Sequence, residues 1–305
     1  MKTLLAFAAA VLVSGAALAQ TRIVVPFPPG GGADSLARLM SPKLAEMRGE
    51  QIIVENKPGA SGHIGAELVA QSPADGRTLL MASTAALTEK NVSQFAPVTL
   101  VSASPYVVTA ALKNSFSSVK DLITYAKANP GKLTFGSSGT GAASHLSAEL
   151  FKSMANVDLL HVPYKGTGQA VTDLLAGQID LLFAPAQAVM PHVKAGKLKA
   201  LATTGAKRAQ TLPELPTVAE SGVPGYEALG WFGLLAPAAT PKEVVAALSV
   251  QANRVLSNPE VRSRMQALGA EPSGDTPEQF ARFIREDQAK WSKLMRERGI
   301  KPEGG

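Results

Sequence analysis

The chain has 305 residues, a formal net charge of +6, 46% hydrophobic and 5% aromatic residues, and no cysteine. The lack of cysteine excludes disulfides, Cys-ligated metals, thiol catalysis and a lipid-modified cysteine anchor. Lys and Arg are dispersed, as in KAGKLKA and REDQAKWSKLMRER; without a basic stripe interleaved with aromatics they mark solvated faces and no nucleic-acid footprint, while a weak positive field favours small anions.

The N-terminal MKTLLAFAAAVLVSGAALAQ combines Lys2, an apolar run Leu4–Val13, and Ala17 and Ala19 around Leu18. These are the parts of a cleavable secretory signal over residues 1–19, so the mature chain is expected to begin at Gln20. The apolar run is too short for about 30 Å of hydrocarbon. The expected location is the periplasm, without a lipid anchor.

Downstream, RIVVPF, QIIVEN, TLLMAS, KLTFGSS, DLLHVPY, IDLLFAP and LKALATT read as strands. Between them DSLARLMSPKLAEM, IGAELVAQS, VKDLITYAKAN, ASHLSAELFKSM and GQAVTDLLAGQ have helical spacing. This alternation predicts an α/β fold with largely parallel sheets. Pro42 predicts a kink or break near Ser41. Toward the C-terminus, Thr240, Asn258 and Thr276 each precede a proline and read as helix caps, and Phe280, Phe283, Ile284, Trp291 and Leu294 recur at core spacing.

Two extended apolar segments, SPYVVTAALKNS and YEALGWFGLLAPAAT, read as crossings between domains. They divide the mature chain into a discontinuous first lobe, residues 20–105 plus 236–305, and a second lobe, residues 106–235. Hinges are expected near Tyr106–Val108 and Phe232–Leu234. The cleft between two such lobes is a default small-molecule site.

Three strand-to-helix turns are rich in Gly, Ser and Thr: Pro26–Asp34, Asn56–Gly65 and Gly136–Leu146. Glycine frees the backbone there, and the following helix offers unpaired N–H groups and the positive end of its dipole, which suits an anion. Phosphate motifs fail on detail. No lysine follows GGGADS or GTGAAS as a P-loop requires, and Ser35 and Ser144 stand where a dinucleotide fingerprint needs its third glycine. GASGH and GSSGT also lack the spacing of a nucleophile elbow. His145 and Glu149 are four apart and could form half a metal site. The plainer reading orients His145 near a helix start and leaves Glu149 solvated. These loops are therefore expected to bind an anion without transforming it, with no metal or cofactor.

The wording and order of IVVPFPPGGGADSLAR, VENKPGASGHIGAELVAQSPADGRTLLMAS, FAPVTLVSASPYVV, LITYAKANPGKLTFGSSGTGAASHLSAELF, HVPYKG, DLLAGQIDLLFAPAQAVMPHVKAGKLKALATT and GWFGLLAP closely resemble the substrate-binding proteins of tripartite tricarboxylate transporters, the Bordetella uptake gene family. The resemblance runs from about Arg22 to the C-terminus. It implies a two-lobed periplasmic binding protein fold of type II-like form, each lobe a mainly parallel sheet flanked by helices. It also implies a monomer that closes on a small organic carboxylate and delivers it to a membrane permease.

Carried onto this chain, the resemblance implies first-lobe contacts from Phe27, Pro28, Gly31, Gly32, Ala33 and Asp34, with Ser61 and His63 nearby. The second lobe would add Ser137, Ser138, Thr140 and Gly141, with Tyr164, Lys165 and Gly166 at the cleft edge and Ala184 and Pro185 after a further strand. Asp34 has an equal claim as the N-cap of the first helix. The chain departs from the family in two places. A segment with the pattern H-x-x-N-P-x-L-Y is shortened to STAALTEKNVSQFAPV, which weakens the case for contacts from Ser83, Thr84 or Ala85 and leaves room for a wider cleft. Members that take amino acids tend to carry an acid where this chain reads Phe183, Ala184, Pro185, Ala186 and Gln187. A buried ammonium would lack its partner there, so the expected ligand has a carboxylate and no amine. Set against this reading are a secreted hydrolase using Ser61 or Ser138, a metal-assisted enzyme around His145, and a ligand-sensing adaptor for a membrane sensor.

Overall fold

A computed structural model describes residues 20–301, and the signal reading for residues 1–19 lies outside them. Each strand expected from an apolar run forms: β1 (Gln20–Val25), β2 (Gln51–Asn56), β3 (Thr78–Ala82), β5 (Thr134–Ser137), β6 (Leu160–Pro163), β7 (Leu181–Pro185) and β8 (Leu198–Thr203). The two crossing segments are strands as well, β4 (Phe95–Ala111) and β9 (Leu229–Pro237). Together they make a nine-stranded sheet in the order β2-β1-β3-β9-β4-β7-β5-β6, with β8 also on β4.

The sheet is mixed, and the crossings are the reason. β1 runs parallel to β2 and β3, and β5 runs parallel to β6 and β7. β9 returns from the far half and so pairs antiparallel with β3 and with residues 95–105 of β4. Beyond Pro105 the same strand β4 changes partners and pairs antiparallel with β7 and β8.

The helices cover both faces. They are α1 (Gly32–Arg48), α2 (His63–Ala70), α3 (Val119–Ala128), α4 (Ala143–Ala155), α5 (Thr167–Leu175), α6 (Ala186–Lys194), α7 (Lys242–Ser257), α8 (Pro259–Ala267) and α9 (Pro277–Arg298). No break occurs at Ser41: α1 runs unbroken through Pro42, and the Ser41 hydroxyl donates to the Ala37 carbonyl at 2.6 Å one turn back. Asn258 and Thr276 cap as expected, the latter in a reciprocal capping box with Gln279. Thr240 does not. Pro241 takes the N-cap position with ψ 140°, which moves the helix start to Lys242 and leaves the Thr240 hydroxyl buried without a partner.

Four apolar clusters lie above and below the two half-sheets. Helix α9 belongs to both halves. Its Phe280 and Ile284 pack with Val24, Leu80 and Trp231, while Trp291 and Leu294, two turns later, pack with Phe135, Phe151 and Phe183. No helix among the described residues is long and apolar enough to cross a membrane.

Candidate functional site

In each half-sheet the parallel strands end on one edge, and that edge is where the next helices begin: α1 and α2 after β1 and β2, then α4, α5 and α6 after β5, β6 and β7. Open α/β sheets bind ligands at such carboxyl ends. The two edges face each other. A Cβ built on Gly32, the first residue of α1, would stand 2.9 Å from Gln187 Nε2 at the start of α6 and 2.9 Å from the Phe232 ring. A Cβ on Gly139, before α4, would stand 3.4 Å from Ser61 Oγ and 3.6 Å from the Tyr164 carbonyl. Those are ordinary contact distances, so it is the backbone, at φ +134°, that favours glycine there. The three glycine-rich turns and the Tyr164 turn thus meet at one place.

The helices that begin here share another property. None of α1, α2, α4, α5 or α6 has a side-chain cap at its N-terminus; of the helices that start elsewhere, α3, α8 and α9 are capped by Ser118, Asn258 and Thr276, and α7 is uncapped behind Pro241. Uncapped first turns keep N–H donors free, and their dipoles add positive potential at the shared edge.

The first loop is held from beneath by Asp34. It is not the N-cap expected from its position, because Gly31 takes that role and Asp34 lies in the first turn, buried. Its carboxylate reaches back to accept from Gly30 N–H at 3.0 Å, Arg38 Nε at 3.0 Å and Asn56 Nδ2 at 3.0 Å. Burial pushes this carboxyl up, but the bonds from Arg38, Gly30 and Asn56 outweigh it and hold it below its ordinary range. Phe27 offers its carbonyl to Asn56, and Pro28 and Gly31 are exposed while Ala33 is buried in the helix.

The second loop places Ala60 and Ser61 at φ 45° and 54°, a left-handed backbone uncommon outside glycine. His63 opens α2 with Nε2 enclosed and unpaired, and burial pulls its imidazole below the usual range.

The third loop is braced by histidines. Gly141 N–H donates to His145 Nδ1 at 3.1 Å, and Ser137 Oγ lies 2.7 Å from His161 Nε2. The two imidazoles stack with centroids 3.9 Å apart, and Phe135 stacks on His161 at 4.9 Å. Burial pulls both rings down to about 4, with Lys152 adding to the effect on each. Both are therefore neutral at pH 7. Glu149 is not solvated. It is buried between Lys152 Nζ at 2.7 Å and Arg298 Nε at 3.2 Å, because the end of α9 folds over α4.

Of the remaining candidates, Ser138 is half-buried and its N–H and hydroxyl both lie 3.0 Å from Ser144 Oγ. Thr140 is half-buried, Gly166 precedes α5, and Lys165 is exposed. Tyr164 turns its hydroxyl away, donating to Asp173 at 2.7 Å, and Ala184 is buried within β7 opposite Val107. Pro185 is the N-cap of α6. Phe232, expected from the sequence as part of a hinge, and Asp287 were not among the expected site residues, since their neighbours are remote in the chain. Shallow hollows along α7 and between α1 and β2 lie away from these loops.

A family model described as "Tripartite tricarboxylate transporter family receptor" matches residues 36–300. Protein BugT of Bordetella pertussis is 35% identical over 291 residues, covering 92% of this chain and 89% of its own length. A Rhodopseudomonas palustris protein solved with adipate superposes with a TM-score of 0.86 at 37% identity, covering 93% of this chain and 98% of that one. MatC of the same organism, solved with bound malate, gives 0.81 at 30% identity, with 90% and 98% covered. The chain shares their two-lobed periplasmic binding protein fold.

Proposed function

The chain belongs to the tripartite tricarboxylate transporter receptor family, a family of solute-binding receptors and not of enzymes, and from that premise we propose that it captures a small organic carboxylate in the periplasm and hands it to a tripartite tricarboxylate-type permease. The observation that carries this reading is the meeting of α1, α2, α4, α5 and α6 by their uncapped N-termini. Backbone N–H groups of Gly31, Gly32 and Ala33 receive one carboxylate, with Ser61 and His63 beside them. Ser138, Thr140, Gly141 and Gly166 receive the far end. Ligand recognition is by hydrogen bonds and cleft shape.

Gln187 stands across from Gly32 and brings an amide, not a carboxylate, to the cleft. An ammonium group would have no ionic partner at that point, so the ligand is an amine-free acid. The adipate and malate bound by the two relatives are of this class. The chain moves as two lobes, residues 20–105 with 236–305 against 106–235, about hinges at Tyr106–Val108 and Phe232–Leu234, and works as a monomer. A cleavable signal over residues 1–19 exports it.

The test is thermal unfolding of the chain from Gln20, refolded to remove trapped solute, against adipate, malate, succinate, citrate, aspartate and glutamate. An acid present at a hundred times its dissociation constant stabilises the fold by about 2.7 kcal/mol. Stabilisation by amine-free acids is expected. Stabilisation by aspartate or glutamate alone would overturn the ligand class.

A further inference from the structure

The chain contains two tryptophans, and both donate to one carboxylate. Trp231 Nε1 lies 2.8 Å from Asp287 Oδ2 and Trp291 Nε1 lies 2.7 Å from Asp287 Oδ1. The Thr84 hydroxyl donates to Oδ2 at 3.2 Å. An indole N–H can only donate, so each of these buried rings needs an acceptor, and one acid of α9 serves both. Burial pushes the Asp287 carboxyl up, against the pull of Trp231, Trp291, Thr84 and Lys290. Such a group costs stability unless its bonds are made, and here it links three elements that are distant in sequence.

Two of those links lead to the cleft. Trp231 lies in β9 beside Phe232, whose ring packs on Gly32. Thr84 opens the short turn Thr84–Ala86, and a Cβ on Gly62 would stand 3.1 Å from Ala86 Cβ. Gly62 follows Ser61, which faces Gly139 across the cleft. The left-handed pair Ala60 and Ser61 is a backbone that persists only when its surroundings over-determine it. The Thr84–Ala86 turn supplies part of that support.

We propose that Asp287 is a positioning residue of the cleft, whose carboxylate ties β9 and α9 to the Thr84–Ala86 turn and through it seats the Ala60–Gly62 loop. This rests on the reading of that loop as part of the binding site. Its test needs no ligand, so its failure is separable from failure of the carboxylate assignment.

Amide hydrogen exchange is measured by mass spectrometry on the unliganded chain and on Thr84→Val, Thr84→Ser, Trp291→Phe and Asp287→Asn. Thr84→Val removes only the hydroxyl, and exchange in segments 59–63 and 84–88 is expected to rise about ten-fold, the factor one hydrogen bond to a charged group represents. Thr84→Ser keeps the hydroxyl and restores the native rate. Trp291→Phe lowers the unfolding temperature but leaves both segments near the native rate, because it frees only Oδ1. Asp287→Asn, where it folds, matches Thr84→Val, and the double variant adds little to it. Native exchange at 59–63 in Thr84→Val would overturn the proposal, as would an equal rise in Trp291→Phe, which would mean that the loop follows global stability alone.

Discussion

Acidification should destabilise this protein through the histidine pair that braces the third loop. His145 Nδ1 accepts from Gly141 N–H, so the neutral ring carries its proton on Nε2 and an imidazolium could not make this bond. Burial, and after it Lys152, lowers the His145 pKa from 6.5 to about 4. The folded state therefore binds fewer protons than the unfolded state between these values. Its stability is fully present above pH 6.5 and falls as the pH drops toward 4. At 1.36 kcal/mol per pH unit, this window is worth about 3 kcal/mol for His145, which is only 3% exposed. That is a large part of the 5–15 kcal/mol typical of a folded domain. A charge on His145 opposes protonation of His161, stacked 3.9 Å away, so the two protons bind in separate steps that belong to the pair.

The assay is urea unfolding followed by circular dichroism from pH 7.5 to 4, on the native chain and on His145→Phe. Phenylalanine keeps a ring in the stack but removes both the titration and the acceptor for Gly141. The variant is expected to be about 1–3 kcal/mol less stable at pH 7.5, the cost of an orphaned buried donor. It should then lose about 3 kcal/mol less than the native chain on going to pH 4. Equal losses in the two proteins would refute the reasoning.

Other consequences concern the same cleft. Gly32→Ala would drive a methyl to 2.9 Å from Gln187 Nε2 and Phe232, an overpacking worth about 1–3 kcal/mol; the unfolding temperature should fall by several degrees, and no fall would mean that the two edges are not in contact. Asp34→Ala strips the partners from Gly30 N–H, Arg38 and Asn56, so calorimetry should show weaker carboxylate binding and thermal unfolding a loss of about 1–3 kcal/mol. Unchanged binding would separate Asp34 from the site. Small-angle scattering should give a smaller radius of gyration at ligand saturation, since a ligand that touches both lobes favours the closed state. An unchanged radius argues for a rigid cleft.

The β-strands were legible because Val, Ile and Leu runs bounded by Gly, Pro and Asn leave few alternatives, and β4 and β9 showed as extended crossings. Helix α6 was not legible, since Pro191 interrupts its pattern and its start is set by packing against Gly32 and Gly269. The glycine-rich loops of the site could be read from composition alone. Their supports could not: His161 reaches Ser137 across a parallel strand pair, Arg298 reaches Glu149 from the other end of the chain, and Asp287 gathers Thr84 from a short turn and Trp231 from β9. Asp34 illustrates a nearer miss, where a position three residues inside the helix, not the cap itself, holds the loop.

The most direct measurement of the central claim is an NMR titration of the isotope-labelled chain from Gln20 with the amine-free carboxylate that stabilises it most. Amide resonances of Gly31–Ala33 and of Ser138–Gly141 are expected to shift together along one saturation curve. Shifts confined to one of these loops, or to the hollow along α7, would contradict a carboxylate held between the two halves.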